Sequence, residues 1–157
     1  MSIILPAIII ISSCKKEETD NPPTPNDPLS SYTLIGTEEA GNSGYTIKLY
    51  LQESAFVGYN YVVARVVQNG TSTSINNALV EFKPMMHMTG MSHSCPVEQP
   101  MFNQDLNGYS GTTTFVMPSG SMGNWVYTVE LTPPGSSDVF SVDFNIDVVE
   151  KPEPRLL

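Results

Sequence analysis

The sequence is poor in basic residues and in cysteine. Only 7 of its 157 residues are Lys or Arg, against 16 Asp and Glu, which gives a net charge of −9. This balance excludes nucleic acid as a partner, because phosphates require clustered basic side chains. With only 2 cysteines, Cys14 and Cys95, the chain is not a disulfide scaffold. Its hydrophobic content of 40% suffices for one modest domain with a real core.

Long hydrophobic runs are also missing. The longest, Ile3 to Ile11, has the length of a signal peptide and is too short to span a bilayer as a mature helix. It leads into Ser12-Ser13-Cys14, which resembles a bacterial lipobox, whose cysteine is lipidated and becomes the new N-terminus. Lys15 to Glu18 then resemble the Lys-then-acid signal that sends many Bacteroidota lipoproteins to the cell surface. We expect a surface-exposed outer-membrane lipoprotein anchored through Cys14, with a periplasm-facing orientation as the alternative.

These patterns divide the chain into four parts. Residues 1–13 are expected to be the signal peptide, and residues 14–30 a tether that begins at the lipidated cysteine. The tether is rich in proline and polar residues, which cannot bury enough apolar surface to fold. Residues 31–150 are expected to form the folded domain, and residues 151–157 a short tail.

Within the domain, hydrophobic residues alternate with a period of two, which predicts strands rather than helices. The predicted strands are residues 32–35, 45–52, 59–68, 78–82, 108–117, 125–132 and 140–148. About seven short strands separated by turns predict an all-β fold, an immunoglobulin-like antiparallel β-sandwich. The expected core residues are Val80, Phe82, Phe115, Trp125, Tyr127, Phe144 and Ile146.

One connection is too long for this layout. The segment from Met85 to Asn107 shows neither a strand nor a helix pattern, and Pro84 is expected to end the strand before it or push it to an edge. Structureless connections of this length are uncommon in compact domains and are usually functional or disordered. The apolar residues of the segment disfavour disorder, so we expect a functional loop.

The same segment concentrates the metal-binding side chains of the protein. It holds both histidines and the cysteine outside the N-terminus, together with most of the methionines. Thioether, imidazole and thiolate bind soft transition metals, above all Cu(I). Methionines that merely fill a core gap would explain the thioethers, but they would not explain why both histidines and the thiol lie in the same segment. We therefore predict a copper site whose ligands come from Met86, His87, Met88, Met91, His93, Cys95, Met117 and Met122.

A strand that continued past Pro84 would divide these residues between two faces. Met86 and Met88 would share its inner side, while Met85 and His87 would face outward. Beyond Gly90 the chain could fold back and bring Met91, His93 and Cys95 toward the inner pair. The residues do not reveal which subset binds.

Other site chemistries fit the pattern less well. Zinc would prefer more Cys, His or carboxylate and has no use for thioether. A blue-copper site needs two His, one Cys and a weak Met, but here both histidines and the cysteine lie in one segment. A nucleophilic Cys95 paired with His93 is conceivable, yet the surrounding residues match no protease signature. We expect no catalytic activity.

Short motifs in the second half of the chain carry a family resemblance. They are FKPMMHM at 82–88 with Met91 and His93 after it, GYSG at 108–111, FVMPSG at 115–120 and GNW at 123–125. Together, over residues 79–131, they resemble the YtkA-like/FixH-like domain. The resemblance implies an exported immunoglobulin-like β-sandwich linked to copper handling, since FixH-type proteins accompany the assembly of copper-dependent oxidases. A protein that donates or accepts copper is then the expected partner.

A second hypothesis assigns the protein to another class. Surface lipoproteins often capture glycans or serve as accessory interaction modules, and tyrosines on an outer face could stack on sugar rings. The candidates are Tyr45, Tyr50, Tyr59, Tyr61 and Tyr109. Strands enrich tyrosine in any case, so the location of these side chains separates the two hypotheses.

Lipidation gives the first prediction. The variant Cys14→Ala should lose its membrane attachment or accumulate as an uncleaved precursor, because no other residue can take the lipid in that motif. Cell fractionation followed by immunoblotting measures both effects. Unchanged membrane attachment of Cys14→Ala would contradict the lipoprotein hypothesis.

Overall fold

Two antiparallel sheets packed face to face build the domain. The computed structural model describes residues 27–151, and within them it contains strands and turns but no helix, hence none that could cross a membrane. The strands are β1 (Thr33–Glu39), β2 (Tyr45–Leu51), β3 (Gly58–Gln68), β4 (Leu79–Met88), β5 (Met91–Ser94), β6 (Val97–Asn103), β7 (Gly108–Phe115), β8 (Asn124–Thr132) and β9 (Phe140–Ile146).

The sheet topology confirms the immunoglobulin-like sandwich. One sheet has the order β1-β2-β3-β7-β6 and the other β5-β4-β8-β9. Strands β2-β3-β7-β6 follow the A-B-E-D order of an immunoglobulin domain, and β9-β8-β4 follow G-F-C. Strand β5 extends the second sheet in the C′ position, and β1 is added at the edge of the first.

The core lies between the two sheets and contains every residue expected there. Trp125 and Tyr127 of β8 are fully buried, and Phe115 lies 5.0 Å from Trp125 between ring centroids. The hydroxyl groups of Thr113 on β7 and Tyr127 are 2.7 Å apart, so a buried hydrogen bond joins the two sheets. This bond satisfies two polar groups that would otherwise be costly to bury.

The segment from Met85 to Asn107 is not a structureless loop, and that prediction was wrong. Strand β4 runs on to Met88, and β5 and β6 follow, which gives nine strands instead of about seven. Both added strands lie at sheet edges and pair on one side only. No residue of either strand is fully buried, so their sequences lack the buried–exposed alternation from which a strand is predicted. Pro100 lies in β6, where the pairing with β7 shifts register, as is usual for proline at an edge.

Pro84 does not end its strand either, and the reason is the direction of its missing N–H. The side chain of Gln99 accepts a hydrogen bond from the Phe82 N–H at 2.8 Å and donates one to the Phe82 carbonyl at 3.0 Å. The backbone groups of Phe82 therefore point away from β8. Pro84, two residues later, has the same orientation. Its missing donor faces the β5 side of β4, where the pairing with β5 begins only at Met85, so no bond to β8 is lost.

At the N-terminal side, the packed structure starts before residue 31. Leu29 is buried, and Asp27 forms a two-pronged ion pair with Arg65 of β3, with N–O distances of 2.7 and 2.8 Å. The last residues assigned to the tether thus belong to the fold. The expected signal peptide, the lipid site Cys14, the rest of the tether and residues 152–157 lie outside the described residues.

The Asp27–Arg65 pair gives a prediction about stability and pH. Hydrogen bonding to Arg65 lowers the pKa of Asp27 below its usual value, although partial burial opposes the shift. A lowered pKa in the folded state stabilises the protein above the ordinary carboxyl pKa, and this stabilisation disappears as the pH falls through the folded value. Asp27→Asn should lower the free energy of unfolding by about 1–2 kcal/mol at pH 7.

Urea denaturation at pH 7 and in acid measures this difference. The stability difference between wild type and Asp27→Asn should disappear in acid, because Asp27 of the wild type is then protonated and as uncharged as asparagine. Asp138→Asn, at an exposed carboxylate outside the ion pairs of the described residues, should change little at either pH. An equal loss in both variants would contradict the role of the ion pair.

Candidate metal centre

A hairpin formed by β4 and β5 carries the candidate ligands. The chain turns at Thr89-Gly90, where Gly90 has a φ of 82° that favours glycine. In the resulting register Met86 lies opposite His93, and Met88 lies opposite Met91. Directly opposed residues of an antiparallel pair share one face of the sheet. The four side chains therefore belong to the inner face, as the continued-strand hypothesis predicts.

Trp125 completes this inner row on the other side of β4. Met86 is paired with His93 across β5 and with Trp125 across β8, so it lies between them and is fully buried. The rings of His93 and Trp125 meet edge to face, with centroids 5.5 Å apart. The indole N–H donates a hydrogen bond to the Met117 carbonyl at 2.9 Å, which fixes the ring. It also brings the backbone of Met117 to the end of the sandwich that holds Met86, His93 and Trp125, which we call the Met/His end.

One ring nitrogen of His93 has a hydrogen-bond partner, and the other has none among the described residues. Its Nδ1 lies 3.1 Å from the Ser94 carbonyl oxygen, which can only accept a hydrogen bond. In the neutral ring Nδ1 therefore carries the proton and Nε2 carries the lone pair. Nε2 is buried and has no hydrogen-bond partner among the described residues. An unpaired buried polar atom costs about 1–3 kcal/mol and calls for an explanation.

His87 lies on the opposite face of the hairpin. It is exposed, and its Nδ1 lies 3.1 Å from the hydroxyl of Ser92, its neighbour across the strand pair. Met85 shares this outer face. The two histidines thus point to opposite sides of the sheet, and the structure does not bring His87 together with the inner methionines.

Cys95 follows β5 and packs, half-buried, against the core. Burial raises the pKa of its thiol to about 12. At neutral pH the side chain is therefore a neutral thiol, which is a poor metal ligand compared with a thiolate. Cys95 behaves as part of the apolar wall of this end of the sandwich.

The remaining two candidates lie on the segment between β7 and β8. Met117 is half-buried against the core, whereas Met122 is 56% exposed at the tip of a tight turn closed by reciprocal Gly120–Gly123 hydrogen bonds of 2.9 and 3.1 Å. Gly123 packs on the hairpin, since a Cβ there would lie 2.9 Å from Cγ of Met88. A side chain at this position would push the turn away, so glycine lets it lie against the candidate ligands.

The donor set on the inner face is soft and neutral. Among the described residues, no group of three or more His, Cys, Asp or Glu side chains is placed to hold a metal ion. A metal bound at this end would depend on methionine sulfur, with one imidazole. Such donors fit Cu(I) and do not fit zinc, calcium or magnesium.

Two contributors to this end were not predicted as site residues. Trp125 was expected only in the core, and Gly123 was noted only within the GNW motif. Their relation to the hairpin depends on the β4–β8 register, which pairs His87 with Asn124 and Met86 with Trp125. The sequence signal for this close packing is the glycine directly before Asn124-Trp125. It does not reveal which strand packs beside that glycine.

The tyrosines are divided between the two sides of the five-stranded sheet. Tyr45 and Tyr109 face the core, and the Tyr109 hydroxyl accepts a hydrogen bond from the Ala78 N–H at 2.9 Å. The strand alternation places Tyr50, Tyr59 and Tyr61 on the outer face. The glycan hypothesis therefore keeps only part of its aromatic set and stays a prediction.

Comparison of the chain with family models, with curated proteins and with solved structures finds no match. The resemblance of residues 79–131 to the YtkA-like/FixH-like domain therefore also stays a prediction.

The state of Cys95 gives a prediction about thiol reactivity. At pH 8 a pKa of about 12 instead of the ordinary 9.0 lowers the thiolate fraction on the order of 1000-fold. In a Cys14→Ser background, which leaves one thiol, iodoacetamide should alkylate the folded protein slower than the urea-unfolded protein by about that factor. Mass spectrometry at timed intervals measures both rates. Equal rates would mean that Cys95 is a reactive thiolate.

Proposed function

We propose that the protein binds Cu(I) at this end of the sandwich. The resident ligands are Nε2 of His93 and the thioether sulfurs of Met86 and Met88. Trp125 forms the inner wall of the site, and Met91 lies at its mouth. His87 faces away from this site, and Cys95 remains a protonated thiol of the surrounding wall.

The observation that carries the proposal is the buried and unpaired Nε2 of His93. A structural histidine at this position would be expected to use both ring nitrogens, or to leave the second one in water. Here the Nδ1 hydrogen bond to the Ser94 carbonyl orients the ring of His93, which lies opposite Met86 across the hairpin. Orientation of a ligating imidazole through its other nitrogen is typical of metal sites.

The choice of Cu(I) follows from the softness of the donors. Thioethers bind Cu(I) well and compete poorly for metals that prefer oxygen or several anionic ligands. Met86 and Met88 do not ionise, so the site holds a monovalent cation without burying an uncompensated negative charge. Trp125 borders the imidazole of His93, with the two ring centroids 5.5 Å apart.

The broader assignment combines this site with the N-terminal motifs. We place the protein at the outer membrane as a lipoprotein anchored by Cys14, where it handles copper without catalysing a reaction. The resemblance to the YtkA-like/FixH-like domain supports an exported copper-handling role.

The two histidines provide a matched pair of variants. In the full chain with Cys14→Ser, His93→Gln should weaken Cu(I) binding by about 100-fold, equivalent to ~2.7 kcal/mol. His87→Gln, at the exposed position on the other face of the same hairpin, should change the affinity by less than about threefold, a difference within ~0.7 kcal/mol. A competition titration against a colorimetric Cu(I) chelator under reducing conditions measures both affinities.

Met86→Leu and Met88→Leu keep the side-chain volume and test the thioethers in the same assay, since such exchanges usually cost less than about 1.5 kcal/mol of stability. Circular dichroism checks that each variant keeps its fold. If wild type competes no better than the variant carrying His93→Gln, Met86→Leu and Met88→Leu together, the Met/His end is packing and the proposal fails.

A further inference from the structure

The methionines at this end form a gradient of exposure. Met86 is fully buried, Met88 is half-buried, and Met91, which faces Met88 across the hairpin, is 62% exposed. The thioethers therefore extend from the core to the surface over one short stretch of β4 and β5. A site that only stored a metal would not need a sulfur ligand in solvent.

A second exposed methionine approaches the same corner from another part of the chain. Met122 is 56% exposed on the turn between β7 and β8, and the adjacent Gly123 packs against Met88. Ser119 holds this segment in place, because its hydroxyl donates to the Ile146 carbonyl and accepts from the Val148 N–H at 3.1 and 2.9 Å. Met122 is thus presented at the edge of the site by an anchored turn.

We infer that Met91 and Met122 form a transfer rim through which Cu(I) passes between this site and a copper-carrying protein. This inference rests on the proposed Cu(I) site. The partner is a protein that carries Cu(I) on its own thioether or thiolate ligands, because ligand exchange between soft donors needs no change of metal or oxidation state. Val116, 48% exposed on the same segment as Met122, adds apolar surface for contact.

Transfer proceeds by exchange of one bond at a time. A sulfur of the rim binds the Cu(I) of the partner while a copper–sulfur bond to the partner breaks, and the copper stays Cu(I) throughout. Met88 then replaces the rim sulfur, and His93 and Met86 complete the coordination inside as the remaining bonds to the partner break. The rim binds the metal only transiently, so it changes the rates of uptake and release in parallel and has little effect on affinity.

The rim can be tested with three exposed methionines, one of which is a control. Met91→Leu and Met122→Leu together remove both rim sulfurs at nearly constant volume. Met101 is 78% exposed on edge strand β6 of the other sheet, so Met101→Leu removes an exposed thioether away from the site. All variants are made in the full chain with Cys14→Ser.

Stopped-flow measurements follow Cu(I) uptake from a loaded synthetic methionine peptide and release to a colorimetric chelator. The double variant should lower both rates by about tenfold and change the equilibrium affinity by less than about threefold, since a shared step changes both rates equally. Met101→Leu should match wild type in all three quantities.

Unchanged rates in the double variant would overturn the transfer rim. A loss of affinity as large as the loss of uptake rate would also overturn it, because Met91 or Met122 would then be a resident ligand. If wild type fails to bind Cu(I) at all, the proposed function fails instead, and the equilibrium titration separates that result from both others.

Discussion

The register of β4 against its two neighbours is the constraint on which the rest of the structure depends. A shift by one residue would turn every side chain of β4 to the opposite face. Met86 and Met88 would then point to solvent and His87 into the core. The register is fixed by burial, because Phe82 and Met86 on β4 pair with Val129 and Trp125 on β8 and all four are fully buried or nearly so. The same packing that stabilises the sandwich therefore determines which histidine faces the methionines.

Much of the fold could be predicted because it depends on local alternation. The seven predicted strands and the core around Trp125 and Tyr127 are present, since most of these strands were marked by a two-residue period and by turn residues. Strands β5 and β6 could not be predicted, because neither strand fully buries a face, which leaves its sequence without that period. The effect of Pro84 was misjudged since the sequence does not show which neighbour its missing N–H faces. For the site, the residue types were visible, but the contact between Trp125 and His93 depends on pairing between strands far apart in the chain.

The candidate metal centre illustrates how one set of side chains can serve packing and the proposed chemistry together. Met86 fills the core as a flexible apolar side chain and still offers a sulfur lone pair. The unpaired Nε2 of His93 costs stability, which neighbouring contacts offset. These include the indole hydrogen bond to the Met117 carbonyl and the bonds of Ser119 to the chain around β9. The candidate ligands therefore lie on an anchored framework instead of a mobile loop, so the proposed binding of Cu(I) would require little ordering of the chain.

The ion pair of Asp27 with Arg65 also determines where the described chain enters the domain. Gly58, at the end of β3 remote from Arg65, pairs with Phe115, whose ring contacts Trp125 at the Met/His end. Arg65 lies seven residues further along β3, roughly 23 Å away at about 3.3 Å per residue. The described chain, which begins at Asp27, therefore enters the domain at the far end from the methionines. In the proposed lipoprotein, the proposed Cu(I) site would lie at the end of the domain opposite the entry of the anchored chain, where a copper carrier can reach it.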